Sequence, residues 1–492
     1  MRNKKSFAVA AVLVVSAAVF GYGITTVAAT ATTANPASNR PPACATLPPP
    51  SAPSSPAPSS PSSPSPSVPS SPPAKPTTVT TIGSAYYCIF DNYYGGPVWD
   101  PRTLLVPAFA ALTQELQRRG LDQPQATMPA LTGRKDADWA AFRRVYEQIT
   151  AGLPADPTVR QAVAEATIQG MVESLDDNHA RWMRPSSSST EAAPVGLRLS
   201  GLQPDGPDPA STPPIFVTAV APGSGSEIAG VKPGDEVVAV NGVPLIVNGV
   251  VSDGVIGWFR TATKDNPVRL TLRRLVTGKT FTVTVTPVPI PRETPTVESR
   301  LLPGDIAYVR MPAFAPGMAD QVLRAIADLR AGRTLRGVVL DLRGNGGGSP
   351  TEVARLLGAW AHDKTTSYWC DVRGECTANR TDDSVPLLNL PLVALTDRNC
   401  ASACDSFTSA VKDLRLGTLV GTRTAGAVSG PGEPFQLNDD SMIMLPKRHE
   451  IGANREIVNT IGVAPDHVAP MTAADLSAGR DPGVAKALTL LK

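Results

Sequence analysis

A serine between two cysteines lies where a predicted buried strand meets a predicted helix. The strand is PLVALTDRN, residues 391–399, the helix begins in CDSFTSAVKDL, residues 404–414, and Ser402 lies on the turn between them. A helix N-terminus leaves backbone N–H groups without acceptors and adds positive dipole potential. Both features suit the oxyanion that forms when a serine attacks an acyl group. Ser402 is therefore a candidate nucleophile, and the alternative is a serine that only caps the helix.

The elements around Ser402 alternate between strand and helix. DIAYVRMPAF, residues 305–314, predicts a strand, and MADQVLRAIADLRA, residues 318–331, predicts a helix. LRGVVLDLRGNGGG, residues 335–348, predicts a buried strand that runs into a glycine-rich turn. This alternation predicts an α/β core from residue 293 to residue 492.

The part before this core divides into a helical and a β-rich segment. Asp156 followed by Pro157 predicts the start of a helix that ends in LDDNHARWM, which places His179 just past a helix end. Short runs rich in Val, Ile and Thr, separated by Gly, Pro and Asn-Gly, then predict strands and hairpins. We therefore expect a multidomain α/β protein with a helical part over residues 84–190 and a β-rich domain over residues 191–292.

One stretch of the β-rich segment resembles the centre of a PDZ domain. It is VTAVAPGSGSEIAGVKPGDEVVAVNGVPL, residues 217–245. In PDZ domains a glycine-led loop binds the terminal carboxylate of a peptide, which adds to the domain as a strand. The resemblance implies that role for GLRL, which comprises Gly196, Leu197, Arg198 and Leu199.

The wider pattern resembles the C-terminal-processing, or tail-specific, serine peptidases. In that family a DLRxNxGG strand end precedes an SASASE nucleophile turn, and GVxPD follows. The matching residues here are Asp341–Gly348, Cys400–Asp405 and Gly462–Asp466. The resemblance implies that Ser402 is the nucleophile and that the N–H groups of Ala403, Gly346 and Gly347 hold the oxyanion.

The residue that accepts the serine proton departs from the common pattern. Members with a Ser-Lys dyad carry lysine 25 residues after the serine, where this chain has Ala427, and alanine cannot accept a proton. A branch that resembles tricorn protease uses histidine, and DDNHARW resembles its LxDxHTxYL segment, which implies that His179 is the base. Imidazole, with a reference pKa of about 6.5, suits this role at neutral pH.

The group that orients His179 stays open at this stage. Asn459 or Thr460 stands where that branch has a glutamate, so Glu456, Asp405 or an uncharged amide are the candidates. A thiol mechanism through Cys400 or Cys404 is the chemical alternative to serine. We expect no metal and no cofactor, because no metal-ligand spacing appears and GNGGG lacks the lysine of a phosphate-binding loop.

The N-terminus resembles an export signal, with Arg2, Lys4 and Lys5 before an apolar run. Continued through Ala29, the run is also long enough for one membrane span, so a cleaved signal peptide and a membrane anchor over residues 1–31 both stay open. Residues 32–83 predict a Pro/Ser-rich disordered linker, and its richest part, residues 41–76, would span about 110 Å as polyproline II. Either reading places the remaining chain outside the cytoplasm.

Six cysteines fit an oxidising compartment. Cys370 and Cys376 flank a short polar loop, Cys44 and Cys88 could close a bridge across the linker, and Cys400 and Cys404 either oxidise together or stay buried. The formal net charge of +2 gives no reason to expect nucleic acid as a partner.

Taken together, these patterns predict an exported serine endopeptidase. Its partners would be unstructured polypeptides or protein C-termini, captured by the PDZ-like domain. The alternative is a degenerate peptidase that only binds peptides, which the alanine at position 427 and the asparagine at position 459 favour.

Overall fold

The computed structural model describes residues 41–46, 75–184, 195–203, 206–207, 213–290, 296–430 and 432–492. The predicted signal or anchor and the central part of the linker lie outside the described residues. Within the described ranges, no helix combines the length and the apolar character that crossing a membrane requires.

The N-terminal part is mainly helical, as predicted. Its elements are β1 (Ala45–Thr46), α1 (Val79–Asn92), α2 (Pro101–Arg118), α3 (Lys135–Ala151), α4 (Pro157–Glu173) and β2 (Arg181–Met183). The Asp156 side chain accepts the Thr158 N–H at the start of α4, with Pro157 at the first helical position. The rings of Tyr86, Trp139 and Phe142 stack in the core between the helices.

The linker is shorter than predicted at its C-terminal end. Thr77 is buried, its N–H donates to Gln161 Oε1 at 2.9 Å, and its hydroxyl donates to Asp439 Oδ2 at 2.7 Å. Helix α1 begins two residues later, so the predicted boundary at residue 83 is wrong. Ala45 and Thr46, which lie inside the predicted linker, also belong to the folded body, since they form β1 and pair with a later strand of the chain.

The β-rich domain has a small core of its own. Its elements are β3 (Leu197–Leu199), β4 (Leu202–Gln203), β5 (Gly206–Pro207), β6 (Val217–Val220), α5 (Gly225–Ile228), β7 (Asp235–Val240), β8 (Val243–Pro244), β9 (Ile246–Val247), β10 (Val250–Val251), α6 (Asp253–Thr261), β11 (Val268–Arg274) and β12 (Lys279–Val285). Among the described residues, β12, β11, β7 and β8 form one antiparallel sheet, and β3 pairs with β6. Val217, Val240, Leu270 and Leu272 are fully buried between these strands.

The C-terminal part forms the predicted α/β core. Its elements are β13 (Glu298–Leu302), β14 (Ile306–Arg310), α7 (Met318–Arg330), β15 (Gly337–Asp341), α8 (Pro350–Gly358), β16 (Thr365–Cys370), β17 (Cys376–Arg380), β18 (Leu392–Thr396), α9 (Ala403–Asp413), β19 (Thr418–Gly421), β20 (Gly432–Gln436), β21 (Met442–Pro446), β22 (His449–Gly452), β23 (His467–Val468), α10 (Ala473–Ser477) and α11 (Pro482–Leu490). Among the described strands, the central sheet has the order β13-β14-β15-β18-β19-β23 and is parallel from β14 onward. Strands β15 and β18 are neighbours, so the loops that follow them meet at one edge of the sheet.

A hairpin of the C-terminal part completes the core of the helical part. Strands β20 and β21 lie between β1 and β2 in one sheet, and Phe435, Ile443 and Leu445 are buried against the helices. Strand β2 pairs with β21 directly after His179. This pairing brings His179, a residue of the helical part, next to the α/β core.

All six cysteines are paired. The disulfides are Cys44–Cys88, Cys370–Cys376 and Cys400–Cys404. The local bridge predicted for Cys370 and Cys376 is confirmed, and Cys44–Cys88 is the bridge that the sequence allowed. Of the two alternatives left open for Cys400 and Cys404, the structure shows the disulfide.

Candidate active site

Ser402 lies on a tight turn immediately before α9. Its backbone has φ 57° and ψ −120°, a conformation that residues other than glycine rarely adopt. Such a conformation typically costs about 1–3 kcal/mol and persists only when the surrounding structure holds it. Here Asp405 Oδ2 accepts the Ser402 N–H at 3.0 Å, and the Cys400 carbonyl accepts the Ala425 N–H at 2.9 Å.

The glycine-rich turn after β15 packs against this serine turn. Asn345, which is fully buried, connects the two: its carbonyl accepts the Ala401 N–H at 3.0 Å, and its Nδ2 donates to the Met311 carbonyl at 2.9 Å. Gly347 has φ 97°, and a Cβ at this position would lie 2.7 Å from Ser402 Cβ and 2.9 Å from the Ala403 nitrogen. Only glycine allows the two turns to approach this closely.

The backbone N–H groups at this junction decide which residues can hold an oxyanion. Asn345 Oδ1 already accepts the Gly347 N–H at 2.9 Å, so the structure contradicts the predicted donor role of Gly347. Within the described residues, the hydrogen bonds leave the N–H groups of Ala403 and Gly346 without an acceptor. Gly347 thus provides the close approach, while Ala403 and Gly346 remain the candidate donors.

His179 faces Ser402 from the other side of the cleft. Its Nε2 lies 3.3 Å from Ser402 Oγ, although the two residues are 223 positions apart in the chain. The Asp177 carboxylate accepts the His179 backbone N–H at 2.9 Å and fixes the turn that follows α4. The structure therefore brings together the two residues that the sequence predicts as nucleophile and base.

Two oxygen atoms contact the second imidazole nitrogen. Ser429 Oγ lies 2.7 Å from His179 Nδ1 and donates to Asp177 Oδ1 at 2.7 Å, so this hydroxyl can only accept from the ring. Asn178 Oδ1, also an acceptor, lies 2.5 Å from Nδ1. Both contacts favour the tautomer with its proton on Nδ1, in which the Nε2 lone pair is the acceptor for the Ser402 proton.

Asp177 is in turn held by a buried tyrosine. The Tyr93 hydroxyl donates to Asp177 Oδ2 at 3.1 Å, and both side chains are largely buried. Burial and the adjacent carboxylate raise the pKa of Tyr93, so this hydroxyl keeps its proton and remains a donor. The sequence analysis missed Asp177 and Ser429. The only local signal was the second aspartate of DDNH, two residues before His179.

Neither carboxylate predicted to orient His179 is placed for that role. Asp405 accepts the main-chain N–H groups of Ser402, Gly426 and Ala427 at 2.9–3.0 Å, and burial raises the pKa of Asp405 to about 6. Glu456 accepts the Ser409 hydroxyl at 3.1 Å on the far side of the turn. The prediction of Glu456 or Asp405 is therefore wrong, because these groups hold the backbone and the end of α9 instead.

The contacts of a nearby lysine, of Asn459 and of the two cysteines exclude other roles in the chemistry. Lys412 Nζ donates to the Ala464 carbonyl at 2.6 Å and pairs with Asp466 at 3.4 Å. Asn459, at the position of the expected acid, accepts the Val428 N–H at 3.0 Å next to Ser429. Cys400 and Cys404 are joined in a disulfide, so neither sulfur can act as a thiolate nucleophile.

The predicted peptide-binding loop lies beside the glycine-rich turn. Gly196 has φ 81°, and a Cβ there would lie 2.1 Å from Ser224 Cβ, so this position requires glycine. Leu197–Leu199 forms β3, whose Arg198 donates from Nη1 to the Gly344 carbonyl at 3.2 Å. The predicted loop therefore contacts the turn that also borders Ser402.

Parts of the chain match known protein families. The family model for peptidase family S41 matches residues 305–469, and the PDZ domain model matches residues 186–248. The carboxyl-terminal-processing peptidase 2 of Arabidopsis thaliana, a chloroplast protein, is 31% identical over 326 residues, which cover 62% of this chain and 60% of that protein. The carboxy-terminal processing protease CtpA of Bacillus subtilis is 24% identical over 74% of this chain and 75% of its own length. The match thus spans less than two thirds of the plant relative.

Solved structures support the fold. The structure of mature CPAF complexed with lactacystin superposes with a TM-score of 0.52 at 15% identity, covering 84% of this chain and 97% of that one. The motif residues, the α/β core and the family matches coincide in the same part of the sequence. Residues 305–469 are therefore similar to peptidase family S41, and residues 186–248 are similar to a PDZ domain.

Proposed function

We propose that this protein is an active serine endopeptidase that cleaves unstructured polypeptides or C-terminal tails, with Ser402 as nucleophile and His179 as base. The observation that carries the proposal is the 3.3 Å contact between His179 Nε2 and Ser402 Oγ. The names of the relatives, which describe carboxyl-terminal processing, support a substrate class that includes protein C-termini.

The proposed reaction is a sequence of proton transfers. Nε2 of His179 accepts the Ser402 proton while Oγ attacks the scissile carbonyl, and the oxyanion that develops binds the N–H groups of Ala403 and Gly346. The imidazolium then gives its proton to the leaving amine, and a covalent acyl-serine remains. A water molecule gives a proton to His179 and attacks the acyl carbon; the bond to Ser402 Oγ then breaks, and His179 returns the proton to this oxygen as the carboxylic acid product leaves.

Asp177 and Ser429 act through His179 as positioning residues. The Asp177 carboxylate holds the Ser429 hydroxyl so that its oxygen accepts from Nδ1–H, and its negative charge stabilises the imidazolium through that bridge. The arrangement extends the usual direct carboxylate–imidazole contact by one hydroxyl group.

Removal of the bridging hydroxyl should lower turnover without weakening substrate binding. We expect Ser429→Ala to reduce kcat by about 10- to 100-fold, since a hydrogen bond to a charged group contributes about 1.5–3 kcal/mol. The KM for a short peptide ester should stay within a factor of two. Ser429→Thr keeps a hydroxyl and should recover most of the rate, whereas equal losses in both variants would contradict the bridging role.

The PDZ domain is proposed to capture the C-terminus of the substrate. The supporting observation is the position of Gly196–Leu199 beside the glycine-rich turn, with Arg198 bonded to Gly344. A free carboxylate binds in such a loop through main-chain N–H groups, which an amide cannot replace.

C-terminal amidation of a long peptide substrate should therefore raise its KM. We expect an increase of about tenfold, the value of one lost charge-assisted hydrogen bond, with little change in kcat. The control is a short substrate that cannot reach both Ser402 and the Gly196–Leu199 loop. Its KM should be the same with a free and with an amidated C-terminus. Equal KM values for the free and amidated long peptides would refute carboxylate capture.

An extracytoplasmic location is the remaining part of the proposal. The basic residues and apolar run at the N-terminus support export, and the pairing of all six cysteines fits an oxidising compartment. Release and membrane anchoring are distinguished by whether the N-terminal segment is present on the mature protein, which N-terminal sequencing measures.

A further inference from the structure

The Cys400–Cys404 disulfide closes a five-residue ring of chain with Ser402 at its centre. Cys400 precedes the turn, Cys404 lies in the first turn of α9, and both are fully buried. The Cys404 N–H also donates to the Ala401 carbonyl at 3.0 Å. The bridge therefore spans both the nucleophile and Ala403, whose N–H is a candidate oxyanion donor.

This disulfide is poorly suited to stabilising the fold as a whole. A crosslink constrains the unfolded chain more when it closes a longer loop. The sequence separation is 4 for Cys400–Cys404 and 44 for Cys44–Cys88, so the latter should contribute more to global stability. A bridge over so short a loop acts mainly on the local backbone.

The local backbone is where the active site needs constraint. Ser402 keeps a positive φ of 57°, while the N-terminus of a helix would relax more easily into ordinary helical or extended angles. The Asp405 hydrogen bond and the close packing of Gly347 hold this turn from outside. The disulfide restrains the same turn covalently, because it joins the residues on either side of Ala401–Ala403.

We propose that the Cys400–Cys404 disulfide is a positioning element of the catalytic turn, and that turnover depends on its oxidised state. The inference rests on the proposed function of Ser402. A dithiol such as dithiothreitol would reduce the bridge: it gives two electrons and two protons to the sulfurs, which become two thiols, and itself closes to a cyclic disulfide. The freed thiols no longer restrain the turn, so Ser402 Oγ and the Ala403 N–H lose their positions relative to His179.

Three double variants separate local positioning from general stability. We expect Cys400→Ala with Cys404→Ala to lower kcat for a short ester by about 10- to 100-fold, because misplaced reacting groups are costly. The KM should change less than twofold, and the rate of fluorophosphonate labelling should fall with kcat. Cys44→Ala with Cys88→Ala should show the opposite pattern, with the larger fall in Tm and an unchanged kcat. Cys370→Ala with Cys376→Ala should leave both close to the parent values.

A chemical experiment on the parent protein decides the question even if a variant does not fold. The protein is incubated with dithiothreitol, and at each time the cysteines are alkylated and identified by mass spectrometry. Since Cys376 is partly exposed and Cys400 and Cys404 are buried, the Cys370–Cys376 bridge should open first without loss of turnover. Turnover should fall in step with alkylation of Cys400 and Cys404, while circular dichroism stays constant.

The outcomes distinguish this inference from the function on which it rests. A Cys400→Ala, Cys404→Ala protein with parental kcat well below its Tm would overturn the positioning role, as would turnover that persists after both cysteines are alkylated. Loss of turnover only in step with unfolding would do the same. Retained hydrolysis by Ser402→Ala would instead remove the proposed nucleophile, whatever the state of the disulfide.

Discussion

Ser402→Ala will abolish peptide hydrolysis and fluorophosphonate labelling, with a loss in kcat of at least about a thousandfold. The hydroxyl oxygen is the atom that forms the covalent bond to the acyl group, and the methyl group of alanine cannot replace it. Any remaining rate would come from water attack assisted by the N–H groups of Ala403 and Gly346. The measurement is turnover of a short ester together with the labelled fraction of purified protein.

The matched control for this variant lies on the same helix. Ser409→Ala removes a hydroxyl that lies 3.1 Å from Glu456 Oε1 and 3.4 Å from Asp413 Oδ2, two helical turns beyond the nucleophile. The Ser409→Ala protein should be labelled and should hydrolyse substrate at close to the parental rate. The loss in Ser402→Ala would then be due to the missing nucleophile and not to the removal of a hydroxyl from this helix. A parental protein that neither labels nor hydrolyses any peptide would favour the peptide-binding scaffold, whereas undiminished hydrolysis by Ser402→Ala would falsify the nucleophile.

His179→Ala should lower kcat by about 100-fold or more, because positioned general acid–base catalysis typically contributes at least that much. Only the neutral imidazole can accept the Ser402 proton, so activity of the parent should rise with pH through one ionisation, that of His179. That ionisation should be missing from the residual activity of the variant. The measurement is kcat/KM for a short ester from pH 5 to pH 9.

Two further variants test whether another residue is the base. His467→Ala removes a histidine from β23, the edge strand of the central sheet, and should retain both the rate and the pH profile. Lys412→Met should also retain the rate, because the ammonium group is bound to the Ala464 carbonyl and to Asp466. Full activity in His179→Ala, or its loss in Lys412→Met with the fold intact, would assign the base elsewhere.

The parts of the site that could be predicted are those carried by contiguous motifs. CASACD and the glycine-rich turn each follow a buried strand, and parallel neighbours place such loops together, so their meeting could be expected. The placement of His179 was expected from the family resemblance, and the structure explains it through the pairing of β2 with β21. A local pattern cannot show that pairing, since its two strands are about 260 residues apart.

The missed residues depend on tertiary contacts. Ser429 has no motif of its own, and its role appears only because its hydroxyl lies between Asp177 and His179. Gly347 was predicted to be an oxyanion donor, yet the buried side chain of Asn345 takes its N–H. Glu456 was selected for its charge and its distance from GVAPD, but the fold directs it towards Ser409 and α9. In each case the decisive neighbour is brought in by the fold.

The proline- and serine-rich residues 47–74 are attached to the folded body on both sides. On the N-terminal side, Cys44 forms a disulfide with Cys88, and Ala45–Thr46 pairs with β20. On the C-terminal side, Thr77 forms hydrogen bonds with Gln161 and Asp439. Both ends are thus attached to the same folded body, and the stretch is topologically a closed loop rather than a tether. A single proteolytic cut within residues 47–74 would leave the two pieces covalently joined through Cys44 and Cys88.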